Sequence, residues 1–471
     1  MYKRQVAHRA ELAADCLYQA GRSLELEGHW TQAATTFRRA YLGDRSGEWA
    51  GAALLSALRI EFRTGKEEPA LELFGVLSER AAWRGLARRA ALFLSASDLV
   101  RGRADRAAIW LRRSPGEAAE EFLYWRGRTA ELQGSPELAI RHYLELLRNS
   151  TYHPLADAAR QRLIGDELQP LLGRVARQLA STGRRADLHS AWLLYGDDSS
   201  EGQLLRAQHE QQLLRDARSG PYLSLALIQP PQWPLWQAAP TRAGERFHRL
   251  GIWSFGEPHM LRSFPVSQPS LAFTGSSLLA HAGMVNRSLH LAEIMALRVP
   301  GWTPPQLLPD AFRQLLYPYP YRQEIGAHSE RFGVEPELLA ALIREESRFD
   351  PTAVSAASAR GLTQFVYSTA AEMAPAVGLR DFRPEHLHDP AISIAMGAAY
   401  LARLLERFDQ RLEPAITAYN AGEEQVRVWQ SYCYSRDPAE YYSKVGFPQT
   451  RGYLRKVVSS RNQYRDIYVG S

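Results

Sequence analysis

One pattern recurs through the first half of the chain and limits its fold more than any other feature. A glycine is followed, five residues on, by a small or apolar residue, and four residues beyond that by a bulky apolar one. The copies are Gly28–Ala33–Phe37, Gly65–Ala70–Phe74, Gly102–Ala107–Leu111 and Gly134–Ala139–Tyr143, with steps between glycines of 37, 37 and 32 residues. A weaker copy is Gly183–Leu188–Trp192. Glycine ends one helix, the small residue lets the next helix approach closely, and the bulky residue one turn later fills the groove between them. Gly21 and Gly127 stand seven residues before Gly28 and Gly134, as a repeat of the tetratricopeptide type would place them. A period in this range predicts stacked helix pairs of the tetratricopeptide type. We place this helical-repeat solenoid over residues 1–219.

The punctuation then changes. "IQPPQWPLWQAAP", "FPVSQPS" and "RVPGWTPPQLLP" are Pro-rich, and "SSLLAHAGMVNRSLHLAEIMA" between them is helical in pattern. Residues 220–317 therefore read as a helical linker region continuing the superhelix, and residues 318–471 as a last compact unit. Strand signals are scarce, so the class is all-α. A length of 471 residues with 45% hydrophobic content suffices for several cores.

The net charge of +6 is carried almost wholly by arginine; the lysines are Lys3, Lys66, Lys444 and Lys456. Acidic residues are interleaved with the basic ones, which argues against a nucleic-acid stripe and leaves GC-rich coding or attraction to an anionic polymer such as a carboxylate-rich wall. Cys16 and Cys433 form no metal pattern and read as two lone thiols. No run of about 18 apolar residues occurs, and "MYKRQVAHRAELAAD" has no apolar core, so the chain as given shows no membrane span and no signal peptide.

The chemistry is sought in "VEPELLAALIREESRFDP". Glu335 and Pro336 suit a helix start. Leu339, Leu342, Glu346 and Phe349 fall three, four and three residues apart, which puts Glu346 on the apolar stripe. A carboxyl on a buried face is paired or held neutral, and desolvation is how a glutamic acid stays a proton donor near neutral pH. Glu345 lies about 100° further round the helix and fits the stripe less cleanly. A salt bridge to an arginine is the competing account of Glu346.

Three further stretches follow in order: "S…GLTQF", "AYNAG…V…W" and "FPQTRGYLRKVV", with "HDPAISIAMGAAYLARLLERF" between the first two. In that connecting stretch Asp389 reads as an N-cap with Pro390 at the first helical position. Together with "LIREESRFDP", these motifs resemble the catalytic domain of the soluble lytic transglycosylases, a lysozyme-like α-helical domain. The resemblance covers about Pro318 to Tyr464. The helical region before it, around "STYHPLADAARQRL", is more loosely similar to the superhelical part of the long soluble enzymes.

The resemblance implies cleavage of the β-1,4 bond between N-acetylmuramic acid and N-acetylglucosamine in peptidoglycan, with a 1,6-anhydro product and one glutamate acting as acid and then base. Glu346 matches that glutamate, followed by Ser347. Gly361, Leu362 and Gln364 match the substrate-groove motif, Tyr419 and Asn420 the Tyr-Asn pair beside the acid, and Gln449 and Tyr464 positions of the late motif. No cofactor or metal is implied; His386 and His388 read as loop residues. Asp350, Asp381 and Asp389 are the available second carboxylates, and each reads as structural.

Two departures stand out. Thr363 occupies a place usually held by methionine, and Gln449 one usually held by glutamate, so cleft polarity and substrate preference are expected to differ. The competing readings are a muramidase that uses water and a helical-repeat scaffold that binds peptidoglycan without cutting it. The expected partners are glycan strands and, through the solenoid, cell-wall proteins. A periplasmic or envelope location follows from the substrate, with the export signal expected outside the given chain.

Overall fold

The glycines of the repeated pattern do end helices. In the computed structural model, which describes residues 2–113, 120–219 and 269–469, Gly28, Gly65, Gly102, Gly134 and Gly183 all have φ between 67° and 84°. After the first four, the next N–H reaches back five residues to a carbonyl at 2.8 Å: His29 to Leu24, Lys66 to Glu61, Arg103 to Asp98, Ser135 to Ala130. This closure satisfies carbonyls that a helix end leaves orphaned, and the left-handed turn it needs suits glycine.

The residues after each glycine pack as the spacing predicts. Ala33, Phe37, Ala70, Phe74, Ala107, Leu111, Ala139 and Tyr143 are all buried. A Cβ on Gly21 would lie 2.7 Å from Phe37 Cε1, and one on Gly127 2.4 Å from Tyr143 Cε1. Those two glycines let the aromatic of the next helix sit against bare backbone. The helices are Tyr2–Leu26, Trp30–Gly43, Ala50–Arg63, Glu67–Glu79, Arg84–Val100, Ala104–Arg113, Glu120–Leu132, Pro136–Asn149 and Pro154–Leu163.

The fold is all-α. Among the described residues the only β pairing is two isolated bridges, Val354 with Arg360 and Arg360 with Phe365. No described helix is long and apolar enough to cross a membrane. "IQPPQWPLWQAAP" lies outside the described residues, as does most of "FPVSQPS". The apolar stretch after them forms two helices, Pro269–His281 and Val285–Ala296, separated at Gly283 with φ 76°.

The chain divides into two compact units, residues 1–172 with 408–454, and residues 173–407 with 455–471. The segment 318–471, continuous in its motifs, therefore contributes to both. In the first unit, helices Leu412–Ala421, Glu423–Ser431 and Pro438–Lys444 build on the N-terminal hairpins. Val428 and Tyr432 join the same buried cluster as Phe37, Leu58, Phe62 and Phe93. Polar groups close the joint: Trp125 Nε1 donates to Ser443 Oγ at 2.9 Å, Arg63 Nε to the Ser431 carbonyl at 2.5 Å, and the Tyr432 hydroxyl to Glu25. Cys16 and Cys433, both in this unit, are free thiols.

At the centre of this joint is a buried lysine. Lys444 Nζ donates to the Phe93 carbonyl at 3.0 Å and to Ser97 Oγ, and it lies 3.8 Å from the centroid of the Phe93 ring. The Lys444 carbonyl accepts from Arg59 at 2.5 Å. Burial lowers the Lys444 pKa from 10.5 to about 8, against the pull of nearby Glu440. Between those two values the unfolded chain holds a proton that the folded chain has released, so this group makes the fold more stable as pH rises. Chemical denaturation followed from pH 8 to 10.5 should show wild type gaining up to about 3 kcal/mol relative to Lys444→Met. An unchanging difference between the two would show that the ammonium pays no burial penalty.

Candidate active site

The helix expected to carry the acid runs from Pro336 to Ser347, with Glu335 extended before it and Pro336 in its first turn. It is buried on more than one face: Leu338, Leu339, Ala340, Ala341, Leu342, Ile343 and Arg344 are all covered. Glu346 is half-buried in its last turn. The helix ends abruptly, because Arg348 and Phe349 both take left-handed backbone, with φ of 51° and 62°. Such a pair is costly for non-glycine residues and persists only where its surroundings enforce it. Phe349, buried at the end of the stripe, supplies part of that enforcement.

The other nearby carboxylates have structural work. Glu345 Oε1 accepts from Arg344 at 2.5 Å and from Ser460 Oγ at 2.7 Å. Asp350 Oδ1 accepts from the backbone and hydroxyl of Thr352, at 2.9 and 2.7 Å, and its Oδ2 from Asn286 at 3.2 Å. Asp389 Oδ1 accepts from Ala391 N at 2.9 Å and Ile392 N at 3.2 Å, the cap expected of it. His388 Nδ1 lies 3.0 Å from the Pro351 carbonyl, and His386 Nδ1 accepts from Arg383 N at 3.2 Å. Among the described residues no group of three His, Cys, Asp or Glu side chains is placed to hold a metal ion.

Ser347 joins the helix to the groove motif. Its hydroxyl lies 2.8 Å from the Leu362 carbonyl and 3.2 Å from the Ile343 carbonyl. Gly361 turns the chain with φ 77°, and a Cβ there would meet the Leu387 carbonyl oxygen at 1.9 Å. Gln364, with φ 50°, donates from Nε2 to the Gly361 and Ala353 carbonyls at 2.9 and 3.1 Å. Its amide thereby holds the loop in shape.

Two residues expected beside substrate are core residues. Leu362 is fully buried and serves the site through its carbonyl. Tyr464 is also fully buried, its hydroxyl donating to the Pro318 carbonyl at 2.7 Å and its ring set among Tyr317, Tyr319 and Tyr468. Burial holds its hydroxyl well above the ordinary pKa. Thr363 likewise turns inward. Its hydroxyl bonds to the Ser393 carbonyl at 2.9 Å, and its methyl fills the space that a side chain on Gly397 would need. The replacement of methionine by threonine is thus absorbed by packing rather than displayed on a groove wall.

Tyr419, Asn420 and Gln449 fall in the first unit, and Tyr464 in the second. Tyr419 is half-buried and Asn420 exposed, at the end of the helix that Gly422 terminates with φ 83°. Asn420 Oδ1 accepts from Thr450 Oγ1 at 2.8 Å, which brings it next to the exposed Gln449. The site residues therefore form two groups, Glu346–Ser347 with 361–364 and Tyr419–Asn420 with 449–450, one in each unit.

Sequence reasoning missed the residues that hold Arg344. Its Nε donates to the Leu316 carbonyl at 3.0 Å, one amino group reaches Glu293 at 3.2 Å, and its guanidinium lies 4.6 Å from the Tyr317 ring centroid. Glu293 also holds Arg348 at 3.2 Å. No local spacing signals a partner 51 residues away.

Gly361 is the sharpest structural requirement of the site. Gly361→Ala forces a side chain into left-handed backbone and against a fixed carbonyl. It should cost about 3 kcal/mol in urea unfolding. A loss below about 0.5 kcal/mol would mean that the Gly361 turn is not the close approach described.

The family model of the transglycosylase SLT domain matches residues 323–442. The soluble lytic murein transglycosylase of Salmonella typhimurium is 28% identical over 151 residues, covering 32% of this chain and 23% of that protein. The membrane-bound lytic murein transglycosylase C of Serratia proteamaculans is 32% identical over 166 residues, covering 31% of this chain and 46% of that protein. The chain thus spans about a quarter of the length of the soluble relative and under half of the membrane-bound one. Among solved structures, the 70 kDa soluble lytic transglycosylase of Escherichia coli aligns with 97% of this chain and 81% of its own at 16% identity and a TM-score of 0.42. Residues 323–442 are thus the part of the chain that is similar to the transglycosylase SLT domain.

Proposed function

We propose that the chain is a lytic transglycosylase that cuts the β-1,4 bond between N-acetylmuramic acid and N-acetylglucosamine in peptidoglycan, with Glu346 as its single acid and base. The observation that carries this reading is the place of Glu346, half-buried in the last turn of its helix and joined through Ser347 to the loop at Gly361. Glu345, Asp350 and Asp389 are bound into the scaffold. The carbonyl end of a helix and the apolar packing beside it are surroundings that suit a carboxyl acting first as an acid.

Glu346 would protonate the glycosidic oxygen as the bond to C1 breaks. As a carboxylate it would then take the proton of the muramoyl C6 hydroxyl while that oxygen attacks C1. The sugar closes on itself, water is not consumed, and one residue serves both steps. Glycosidases that use water or a covalent intermediate require a second carboxylate across the cleft. Gly361 and Gln364 would shape the groove floor, and Ser347 would hold that floor to the acid. Leu362 and Tyr464 would support from the core. Peptidoglycan lies outside the cytoplasmic membrane, so the chain would work in the cell envelope.

Digestion of purified sacculi, with soluble products read by mass spectrometry, tests this. Wild type should release muropeptides one water lighter than reducing ones. Glu346→Gln should lose at least about a hundredfold in rate while still sedimenting with sacculi. Products with the full water mass would make the protein a muramidase, and undiminished release by Glu346→Gln would remove Glu346 from the chemistry.

A further inference from the structure

Directly after the groove loop the chain exposes an aromatic residue that the core does not use. Phe365 closes the loop through its bridge to Arg360 and is buried against Tyr400, the ring centroids 5.6 Å apart. Tyr367, two residues later, opens the short helix Tyr367–Met373 and is 59% exposed. Its ring is not left to swing. It lies against Phe382 with centroids 5.7 Å apart and planes at 36°, and Phe382 meets His386 at 6.3 Å in an edge-on arrangement. Val366 and Val354, on the same loop, are also exposed.

We propose that Tyr367, backed by Phe382 and His386, is a stacking platform for an N-acetylated pyranose of the glycan strand, outside the bond-breaking position. This rests on the reading of the chain as a glycan-cleaving enzyme and extends the groove of that same site. A pyranose has one face of C–H groups, and a flat aromatic ring fixed in orientation removes that face from water at little entropic cost. The backing matters, because an unsupported exposed tyrosine would lose rotamer freedom on binding. His386 adds a polar handle. Its Nδ1 accepts from the Arg383 backbone, so the neutral ring carries its proton on Nε2 and is a donor for a hydroxyl or acetamido oxygen.

The position is set by the loop. Tyr367 is three residues from Gln364, a span of at most about 11 Å. That loop is tied through the Leu362 carbonyl to Ser347, the neighbour of Glu346. The platform therefore belongs a few sugar units along the strand from the acid.

The test uses the full chain in the inactive Glu346→Gln form, titrated calorimetrically with chitohexaose, and repeats the titration with Tyr367→Ala and Tyr367→Trp added. Stacking predicts that Tyr367→Ala weakens binding about five- to tenfold, that Tyr367→Trp retains it, and that thermal unfolding is unchanged because the ring is mostly outside the core. Equal affinity for Tyr367→Ala and the parent overturns the platform while leaving the glycan reading intact. Failure of the Glu346→Gln parent to bind either chitohexaose or sacculi overturns both. Loss of self-association in Tyr367→Ala, with sugar binding unaltered, would reassign the patch to a contact between copies of the chain.

Discussion

The guanidinium of Arg344 is the group on which the part of the second unit that carries Glu346 depends. It is nearly excluded from water, so every direction it points must supply an acceptor or a ring face. Glu345, Glu293, the Leu316 carbonyl and the Tyr317 ring fill those directions. Removing one partner of such a buried pair costs about 3–5 kcal/mol, because it strands the other charge. The arrangement has a chemical consequence. It commits Glu345 to structure. Glu346, next in sequence and half-buried, is the carboxylate proposed as the acid.

The helix end transmits this placement to the loop at 361–364. Two left-handed residues turn the chain sharply after Ser347, and the Ser347 hydroxyl holds the Leu362 carbonyl. Gly361 and Gln364 then define the loop, one through a contact that admits no side chain and the other through an amide spent on backbone carbonyls. Residues such as Leu362 and Thr363 act on the site from inside. In the first unit a different joint does similar work. Residues 423–444 are held to the N-terminal hairpins by buried aromatics and by Lys444, whose charge is accommodated by a carbonyl, a hydroxyl and a ring face. The helical hairpins are therefore part of the scaffold on which Tyr419 and Asn420 stand.

Much of this was legible in the residues themselves, for local reasons. The left-handed glycines follow from helix-end chemistry, and Gly21 and Gly127 from the volume of the aromatics opposite them. The Asp389 cap follows from its position before Pro390, while the choice of Glu346 over Glu345 rests on the 3.6-residue period and stays a proposal. What was not legible depends on long-range contact. Lys444 meets Phe93 across 351 residues, and Arg344 meets Glu293 across 51, with nothing in either neighbourhood to announce the pairing. Motif resemblance marked Leu362 and Tyr464 as belonging to the site, but a motif does not say which face of a residue is used. Both proved to be core.

In the proposed reaction the sugar, not water, supplies the attacking oxygen. Digestion of sacculi in water labelled with heavy oxygen tests this most directly. The released muramoyl ends should carry no label at C1, because the C6 oxygen of the same sugar fills that position. Label at C1 in every released end would contradict it and would require a second carboxylate to activate the water.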